Sequence, residues 1–235
     1  MYNFFKSKIR GYIHGIVEQA VAAQFDTELF SISRARQRIA LQSSAELVDR
    51  VMASAERLPG RNELLRFAIS KVELAGLYLE FGVATGATIN LIAPLVPDRV
   101  YGFDTFEGLP EAWGGYMPSG SFRQAVLPTV NSKVELVVGL FASTLPDFLQ
   151  SHPAQVAFLH IDCDLYSSTR TVFGALADQI VPNSIIVFDE YFNYPGWEEG
   201  EYKAFCEFLA ERGLSSRYIA YSDSQQVAVR IEAII

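Results

Sequence analysis

The chain has 235 residues, half of them apolar and a fifth charged, which is enough for a substantial core in one large domain. Its formal net charge of -8 argues against a nucleic-acid partner, because phosphate contacts require a basic surface. The two cysteines have no metal-binding spacing, so neither a structural zinc site nor a disulfide framework is expected. No stretch predicts a signal peptide or a membrane span, and the expected compartment is the cytoplasm.

The N-terminal quarter of the chain has a helical pattern. Up to about residue 57, apolar residues recur at three- and four-residue spacing, as in Leu41, Ala45, Val48 and Met52. Pro59-Gly60 interrupts the pattern, and residues 62–72 predict one more helix. We therefore expect a helical N-terminal extension over residues 1–60 and the main domain over residues 61–235.

From residue 77 onwards, short apolar runs alternate with helix-like segments, which predicts a parallel sheet covered by helices on both faces. The runs are LYLEFGV (77–83), RVYGFD (99–104), VELVVG (134–139), VAFLHID (156–162) and SIIVFDE (184–190). After a predicted helix over residues 197–211, SSRYIAY and QQVAVRI predict an antiparallel pair at the sheet edge. The predicted fold class is therefore α/β, with a mostly parallel sheet.

The segment LEFGVATGAT lies at the end of the first predicted strand. Gly82 and Gly86 allow a tight turn and the close approach of a ligand to the backbone. A dinucleotide fingerprint requires G-x-G-x-x-G, and its second and third glycines are alanines here. The spacing from Glu80 fits better the E-x-G-x-x-x-G loop that holds S-adenosylmethionine. Asp104, at the end of the second strand, is expected to accept hydrogen bonds from ribose hydroxyls. The alternatives are an ordinary tight turn and a carboxylate that caps a helix or is solvated.

Several further carboxylates follow predicted strands at the sheet edge where open α/β sheets bind ligands, namely Asp162, Asp164, Asp189 and Glu190. Converging carboxylates without a basic partner repel one another unless a cation neutralises them, and oxygen ligands select Mg²⁺, Ca²⁺ or Mn²⁺. The alternative is that these groups accept hydrogen bonds from loop amides and helix N-termini. Asp164 in particular precedes a helix predicted to begin at Tyr166, whose N-terminus favours a carboxylate.

Two other features have structural interpretations. His160 lies within the fourth predicted strand, and we interpret it as a packed core residue. The aromatic segment YFNYPGWEEGEY (191–202) is equally compatible with a substrate-pocket wall and with core packing. GLFAST does not have the G-x-S-x-G spacing of a serine nucleophile.

The motifs LEFGVATG, YGFDTFEGLPE, GLFASTLP, IDCDLYSST and FDEYFNYPGW occur in the order found in the macrocin O-methyltransferase-like family, which the chain resembles over residues 77–208. That family contains class I S-adenosylmethionine-dependent sugar O-methyltransferases, so the resemblance implies a Rossmann-like fold. It also implies a Mg²⁺ (or Mn²⁺) site at Asp162, Asp189 and Glu190, with Asp164 as candidate general base. The implied cofactor-binding residues are Glu80, Gly82, Val83, Ala84, Gly86, Asp104, Thr105, Phe106, Gly139, Phe141 and Asp162.

The chain departs from the family pattern at two positions. Glu190 replaces the usual aspartate and is one methylene longer, and Cys163 stands where glycine is common. The expected function is O-methylation of a hydroxyl on a sugar or another small hydroxylated metabolite by a homo-oligomeric enzyme. Two alternatives stay open: an NAD-type nucleotide-dependent oxidoreductase, and a non-catalytic binding protein with a vestigial cofactor site.

Overall fold

The computed structural model describes residues 13–19, 30–114 and 117–233, and eight strands in this part of the chain form one sheet. The strands are β1 (Glu56–Leu58), β2 (Leu77–Phe81), β3 (Val100–Asp104), β4 (Val134–Val138), β5 (Val156–Ile161), β6 (Ile185–Phe188), β7 (Leu214–Ser222) and β8 (Val227–Ala233). The helices are α1 (Ile32–Val51), α2 (Arg61–Ser70), α3 (Ala87–Ile92), α4 (Phe141–Ser151), α5 (Tyr166–Ala175) and α6 (Glu201–Arg212). Residues 13–19 are also helical, and Ala93–Leu95 and Trp197–Glu199 form single 3₁₀ turns.

The strand order is β1-β7-β8-β6-β5-β2-β3-β4. Strands β2 to β6 pair in parallel, whereas β8 lies antiparallel between β6 and β7. The chain runs outward from β2 to β4 on one side and then returns to β5 and β6 on the other. The switch point of this topology therefore lies between the carboxyl ends of β2 and β5, where open α/β sheets bind their ligands.

Alternation along the strands divides the core between two layers of helices. Leu79 and Phe81 of β2 pack into a cluster that includes residues of α4, α5 and α6. Tyr78 of the same strand packs with residues of α2 and α3 on the opposite face. Strands β2, β5 and β6 are buried along their whole length, as expected of a parallel sheet covered on both sides.

The N-terminal region differs from the sequence prediction. Helix α1 ends at Val51, and Glu56 and Arg57, which the helical pattern included, belong to β1. This short strand pairs in parallel with β7, so the predicted antiparallel pair lies one strand inside the sheet edge. Three residues are too few to show a strand period, and the pairing partner lies far away in sequence. The proposed division at residue 60 stays a prediction, and the helical pattern over residues 1–12 and 20–29 lies outside the described residues.

The remaining elements agree with the predicted α/β class. The helix expected over residues 62–72 forms as α2, and the five apolar runs form β2 to β6. No helix in the described part of the chain combines the length and the apolarity needed to cross a membrane.

Candidate active site

The glycine loop connects β2 to α3. Gly82 has a φ of +92°, and a Cβ atom there would overlap the carbonyl oxygen of Asp162, so the close approach of β2 and β5 requires glycine. Gly86, with φ +79°, precedes the first residue of α3. Ala84 also has a positive φ, of 44°, an uncommon conformation for a residue with a side chain. The turn is therefore held in a defined shape by the chain around it.

Asp104, the last residue of β3, holds this loop. Its Oδ2 accepts hydrogen bonds from the backbone amides of Val83 and Ala84, each at 2.8 Å. Its Oδ1 accepts one from the amide of Phe106 at 2.7 Å. A carboxylate has about four acceptor positions, so one remains for a ligand hydroxyl. Asp104 therefore shapes the loop as well as facing the cavity beside it.

A cavity of about 440 Å³ lies over the carboxyl ends of the central strands. The predicted residues that line it are Gly82, Val83, Ala84, Asp104, Thr105, Phe141, Asp162, Asp164, Asp189 and Glu190. Leu109, Pro110 and Phe122, from the long segment between β3 and β4, add an apolar side to it. Four predicted cofactor residues do not line the cavity: Glu80, Gly86, Phe106 and Gly139. The cofactor assignments stay predictions, and for these four only an indirect role is compatible with their position.

Among these four residues, Glu80 shows most clearly how a residue can support the site without lining the cavity. Its carboxylate is fully buried below the glycine loop. One oxygen accepts a hydrogen bond from Thr88 Oγ1 at 3.0 Å, and the other lies 2.9 Å from Nδ1 of His160. Glu80 therefore links β2, α3 and β5 beneath the site.

The acidic rim consists of Asp162, Asp164, Asp189 and Glu190. Hydrogen bonds hold three strand ends together beneath it: the Asp162 amide, after β5, donates to Phe81 O of β2, and the Asp189 amide, after β6, donates to Ile161 O of β5, each at 2.9 Å. Asp189 Oδ1 and Glu190 Oε2 are buried and have no hydrogen-bond partner among the described residues. Burial, followed by the neighbouring Asp189, raises the pKa of Asp162. Burial, followed by Asp162 and Asp189, raises the pKa of Glu190. Burial and mutual repulsion thus oppose ionisation of the carboxyl groups in the rim.

The sequence indicated no cationic partner for the rim, and this was wrong. Nη1 of Arg61, the first residue of α2, lies 3.1 Å from Asp189 Oδ2. The two residues are 128 positions apart, so no local spacing could have revealed the contact. Arg61 lines the cavity and engages one oxygen of Asp189, which leaves the other oxygen without a hydrogen bond.

Sequence reasoning also missed Glu201, the first residue of α6. Its side chain is fully buried, and neither carboxylate oxygen has a hydrogen-bond partner in the described ranges. Burial, followed by Asp164 and Asp162, raises its pKa well above the usual value for glutamate. In the sequence this residue looks like an ordinary acidic residue in the first turn of a helix. Only the fold shows that it adds a buried carboxylate beside the rim.

Asp164 has an unusual backbone conformation for a buried acidic residue. It has a φ of +62°, an uncommon value for a residue with a side chain, and it is 8% exposed. The N-cap of α5 is Leu165, and no side chain makes a capping hydrogen bond there. The alternative role of Asp164 as a helix cap is therefore not supported. Burial, then Asp189 and Asp104, raise the pKa of Asp164 to about 7.

The aromatic segment 191–202 packs into the core. Tyr191, Phe192 and Trp197 are buried, and Trp197 Nε1 donates to Ser43 Oγ of α1 at 3.0 Å. No residue of this segment, all of which is described, lines the cavity. Of the two interpretations left open by the sequence, the structure supports packing.

Comparisons with known proteins agree with this arrangement. Residues 79–191 match a family model described as a methyltransferase domain. The calicheamicin methyltransferase CalS11 aligns with a TM-score of 0.57 and 23% identity, over 85% of this chain and 93% of that chain. An apo structure of CalS11, described as a TDP-rhamnose 3'-O-methyltransferase, aligns with a TM-score of 0.54 and 25% identity, over 72% of this chain and 78% of that chain. The O-methyltransferase NovP aligns with a TM-score of 0.55 and 22% identity, over 74% of this chain and 80% of that chain. No curated protein matches the chain.

The region matched by the family model begins in β2 and ends just after Glu190, so it contains the glycine loop, Asp104 and the acidic rim. The match and the shared fold confirm the predicted fold class and the predicted enzyme class, an S-adenosylmethionine-dependent O-methyltransferase. Residues 79–191 therefore contain a methyltransferase domain, and the chain shares its fold with the O-methyltransferases CalS11 and NovP.

Proposed function

We propose that the protein transfers a methyl group from S-adenosylmethionine to a hydroxyl of a sugar or another small hydroxylated metabolite, assisted by a divalent metal ion. The observation that carries this proposal is the position of the acidic rim. Its four carboxylates line the same cavity as the glycine loop, so the cofactor, the cation and the acceptor would share one space.

The cofactor half of the cavity has the shape and the polarity for S-adenosylmethionine, which supplies the methyl group on a sulfonium centre. The loop residues 82–85 line the cavity with small side chains, and Asp104 keeps one acceptor position for a ribose hydroxyl. Leu140 and Phe141, before and at the start of α4, add an apolar wall suited to a flat base.

The acidic rim also fits a divalent cation. Asp189 Oδ1 and Glu190 Oε2 are buried oxygens without partners in the part of the chain described. The raised pKa values of Asp162 and Glu190 reflect burial first and then repulsion between the carboxylates, and a cation would stabilise their ionised forms against both. Mg²⁺ and Mn²⁺ prefer such oxygen ligands. A bound ion would orient the acceptor and lower the pKa of its hydroxyl. Asp162, Asp189 and Glu190 would hold it, while Arg61 keeps Asp189 in place.

Asp164 is suited to accept the proton that leaves the acceptor hydroxyl. A general base works best when its pKa lies near the working pH, and the pKa of Asp164 is raised to about 7. The left-handed backbone at Asp164 places this carboxylate on the cavity wall rather than at the end of α5. The apolar side formed by Leu109, Pro110 and Phe122 would exclude water from the reacting atoms.

The acceptor class rests on two supports. CalS11 is described as a TDP-rhamnose 3'-O-methyltransferase, which makes a sugar hydroxyl a reasonable acceptor for this chain. Ser167, Ser168 and Thr171 of α5 line the cavity and offer hydroxyl groups that match a hydroxylated ligand. The expected cytoplasmic location and the homo-oligomeric state stay predictions.

Thermal unfolding with added nucleotides tests the cofactor. We expect S-adenosylhomocysteine to raise the melting temperature and NAD to leave it unchanged, because a ligand stabilises the fold that binds it. A shift with NAD alone would support the oxidoreductase alternative. If neither ligand gives a shift, the interpretation as a binding protein with a vestigial cofactor site is favoured.

The metal is tested separately with Asp189→Asn. We expect this variant to lose most of its affinity for Mg²⁺ while its affinity for S-adenosylhomocysteine, measured by calorimetry, stays within a few fold. Asp178→Asn is a matched control, because Asp178 is exposed and pairs with Arg212 away from the cavity. Full methyl transfer by the wild type in excess chelator would remove the metal from the mechanism.

A further inference from the structure

His160, a buried residue of β5, has one ring nitrogen in contact with Glu80 and a second ring nitrogen that, within the described part of the chain, is free to bind a ligand. It is fully buried, and its Nδ1 lies 2.9 Å from Glu80 Oε2. Because Glu80 also accepts a hydrogen bond from Thr88, its carboxylate is held as an acceptor on both oxygens. Nδ1 is therefore the donor in the pair with Glu80, and the second ring nitrogen, Nε2, is the one available for another interaction.

His160 lies on the same face of the sheet as two carboxylates of the acidic rim. Residues two apart on a strand share a face, so His160 and Asp162 lie on the same side of β5. His160 is paired with Val187 of β6, which places Asp189 on that side as well. Potential ligand atoms of His160, Asp162 and Asp189 all lie within 4.8 Å of one another. Nε2 is buried and has no hydrogen-bond partner among the described residues, a costly state for an imidazole nitrogen.

We propose that Nε2 of His160 is a protein ligand of the metal centre, beside Asp162, Asp189 and Glu190, and that the centre binds Mn²⁺ in preference to Mg²⁺. The inference rests on the metal site of the proposed function and specifies its ligands and its ion. An imidazole nitrogen suits first-row transition ions, whereas Mg²⁺ favours oxygen ligands alone. A histidine that binds a metal commonly donates its other N–H to a carboxylate, which is the role of Glu80 here.

This assignment also explains why a glutamate lies below the glycine loop without reaching the cavity. The carboxylate of Glu80 orients the imidazole, and Thr88 Oγ1 in turn orients the carboxylate.

Electron spin-echo spectroscopy of Mn²⁺ bound to the full chain tests the proposal directly. A coordinated histidine modulates the echo through its ¹⁴N nucleus. We expect this modulation in the wild type and its loss in His160→Gln, with Mn²⁺ affinity at least about tenfold weaker. Bound Mn²⁺ without histidine modulation in the wild type would overturn the proposal. If the wild type binds no Mn²⁺ at all, the metal site of the proposed function itself fails.

His152→Gln is the matched control. His152 follows α4 and stacks on Phe148 with ring centroids 4.3 Å apart, on a helix that covers the other face of the sheet. This variant should keep the modulation. Because the wild-type spectrum decides the question, the test remains valid even if His160→Gln does not fold.

A second variant separates coordination from orientation. Glu80→Gln should keep the ¹⁴N modulation but weaken Mn²⁺ binding by about 10–100-fold, the usual effect of losing an orienting partner. Competition between Mn²⁺ and Mg²⁺ in the wild type should favour Mn²⁺ at least about tenfold, and His160→Gln should reduce that preference. An equal preference in both proteins would contradict the proposed role of the imidazole in selecting the ion.

Discussion

An aromatic layer and the acidic rim meet at the end of β6. The aromatic layer consists of Phe173, Phe188, Tyr191, Phe205 and Phe208 and lies between the sheet and helices α5 and α6. Phe188 belongs to this layer, and the next residue, Asp189, points to the opposite face, where it meets Arg61 of α2. One peptide bond therefore separates the two regions.

The two regions bury their side chains in opposite ways. In the aromatic layer, ring centroids of Phe173 and Phe208 lie 4.7 Å apart and those of Phe188 and Phe205 lie 5.0 Å apart. Its one hydroxyl, on Tyr191, shares a hydrogen bond of 2.7 Å with Tyr218. The rim, by contrast, contains buried carboxylate oxygens without partners in the described structure.

The difference in how the two regions are buried indicates that the aromatic layer contributes to stability and the rim to function. Burial of an aromatic side chain contributes roughly 1.5–3 kcal/mol, whereas burial of a charge without a partner is costly. The rim is tolerated because packing such as that of the aromatic layer stabilises the fold around it. Changes in the layer should therefore alter stability, and changes in the rim should alter activity and ligand binding.

The largest effect is expected for Asp164→Asn. The amide cannot accept the proton of the acceptor hydroxyl, so turnover should fall by about 10²–10⁴. Metal binding, measured by titration with Mn²⁺, should be retained because Asp162, Asp189 and Glu190 are unchanged. Single-turnover rates with a diol-containing acceptor measure the effect. A variant with normal turnover would show that Asp164 is not the base.

The opposite result is expected for Phe205→Ala in the aromatic layer. Phe205 is fully buried against Phe173, Phe188 and Tyr191, and its truncation should reduce the free energy of unfolding by about 3–5 kcal/mol. Affinity for S-adenosylhomocysteine should stay within a few fold at temperatures where the variant is folded. Denaturant unfolding and calorimetry measure the two quantities. A loss of less than about 1 kcal/mol would contradict the structural role of the layer.

The rim should also make the stability of the metal-free protein fall as pH rises. The pKa of Asp164 is about 7 in the folded protein, above the ordinary 3.8, so folding disfavours its ionised form. This cost is absent below about pH 4 and fully present above about pH 7. Unfolding free energies in chelator should be about 2–3 kcal/mol lower at pH 8 than at pH 5. The raised pKa values of Asp162 and Glu190 act in the same direction.

Two variants separate this pH effect from general destabilisation. Asp164→Asn should flatten the dependence of stability on pH, whereas Phe205→Ala should lower stability by a similar amount at both pH values. The exposed pair of Arg57 and Asp223 does not alter this trend, because the pKa of Asp223 is lowered below 3.8 and its contribution to stability is constant between pH 5 and pH 8. Stability that rises from pH 5 to pH 8 in the metal-free wild type would contradict the assigned burial of the rim.

The sequence predicted the positions of the strands and of the acidic rim better than it predicted the contacts that each side chain makes. Continuous apolar runs predicted the central strands, and the positions of Asp104, Asp162 and Asp189 after those runs predicted a shared edge, since parallel strands bring their carboxyl ends together. These features depend on local pattern and simple topology, which a single sequence contains.

The missed features depend on contacts between distant parts of the chain. Arg61 and Asp189 are brought together by the packing of α2 on the sheet, and Glu201 is buried by the docking of α6. His160 is buried in its strand as predicted, but strand position alone could not predict that a ring nitrogen lies close to the carboxylates of Asp162 and Asp189. The three-residue strand β1 was missed because its pairing with β7 stabilises it, rather than any pattern of its own.

The smallest change in ligand binding is expected at Asp104. This carboxylate lines the cavity, and both of its oxygens already accept hydrogen bonds from backbone amides. Asp104→Ala removes the acceptor of three loop amides and the expected acceptor of the ribose hydroxyls. Affinity for S-adenosylhomocysteine should fall by about 1–3 kcal/mol, or tenfold to a hundredfold, as measured by calorimetric titration. Mn²⁺ affinity should not change, because Asp104 lies on β3, outside the proposed ligand set.

A comparison of two substitutions at this position distinguishes loop support from direct cofactor binding. Asp104→Asn keeps one side-chain oxygen, so it should support part of the loop and lose less cofactor affinity than Asp104→Ala. S-adenosylhomocysteine and free adenine should then be compared. Because adenine has no ribose, its binding should fall less than that of the full cofactor if Asp104 contacts the hydroxyls. Equal losses for both ligands would assign Asp104 to the loop alone, and unchanged affinity in Asp104→Ala would remove it from the cofactor site.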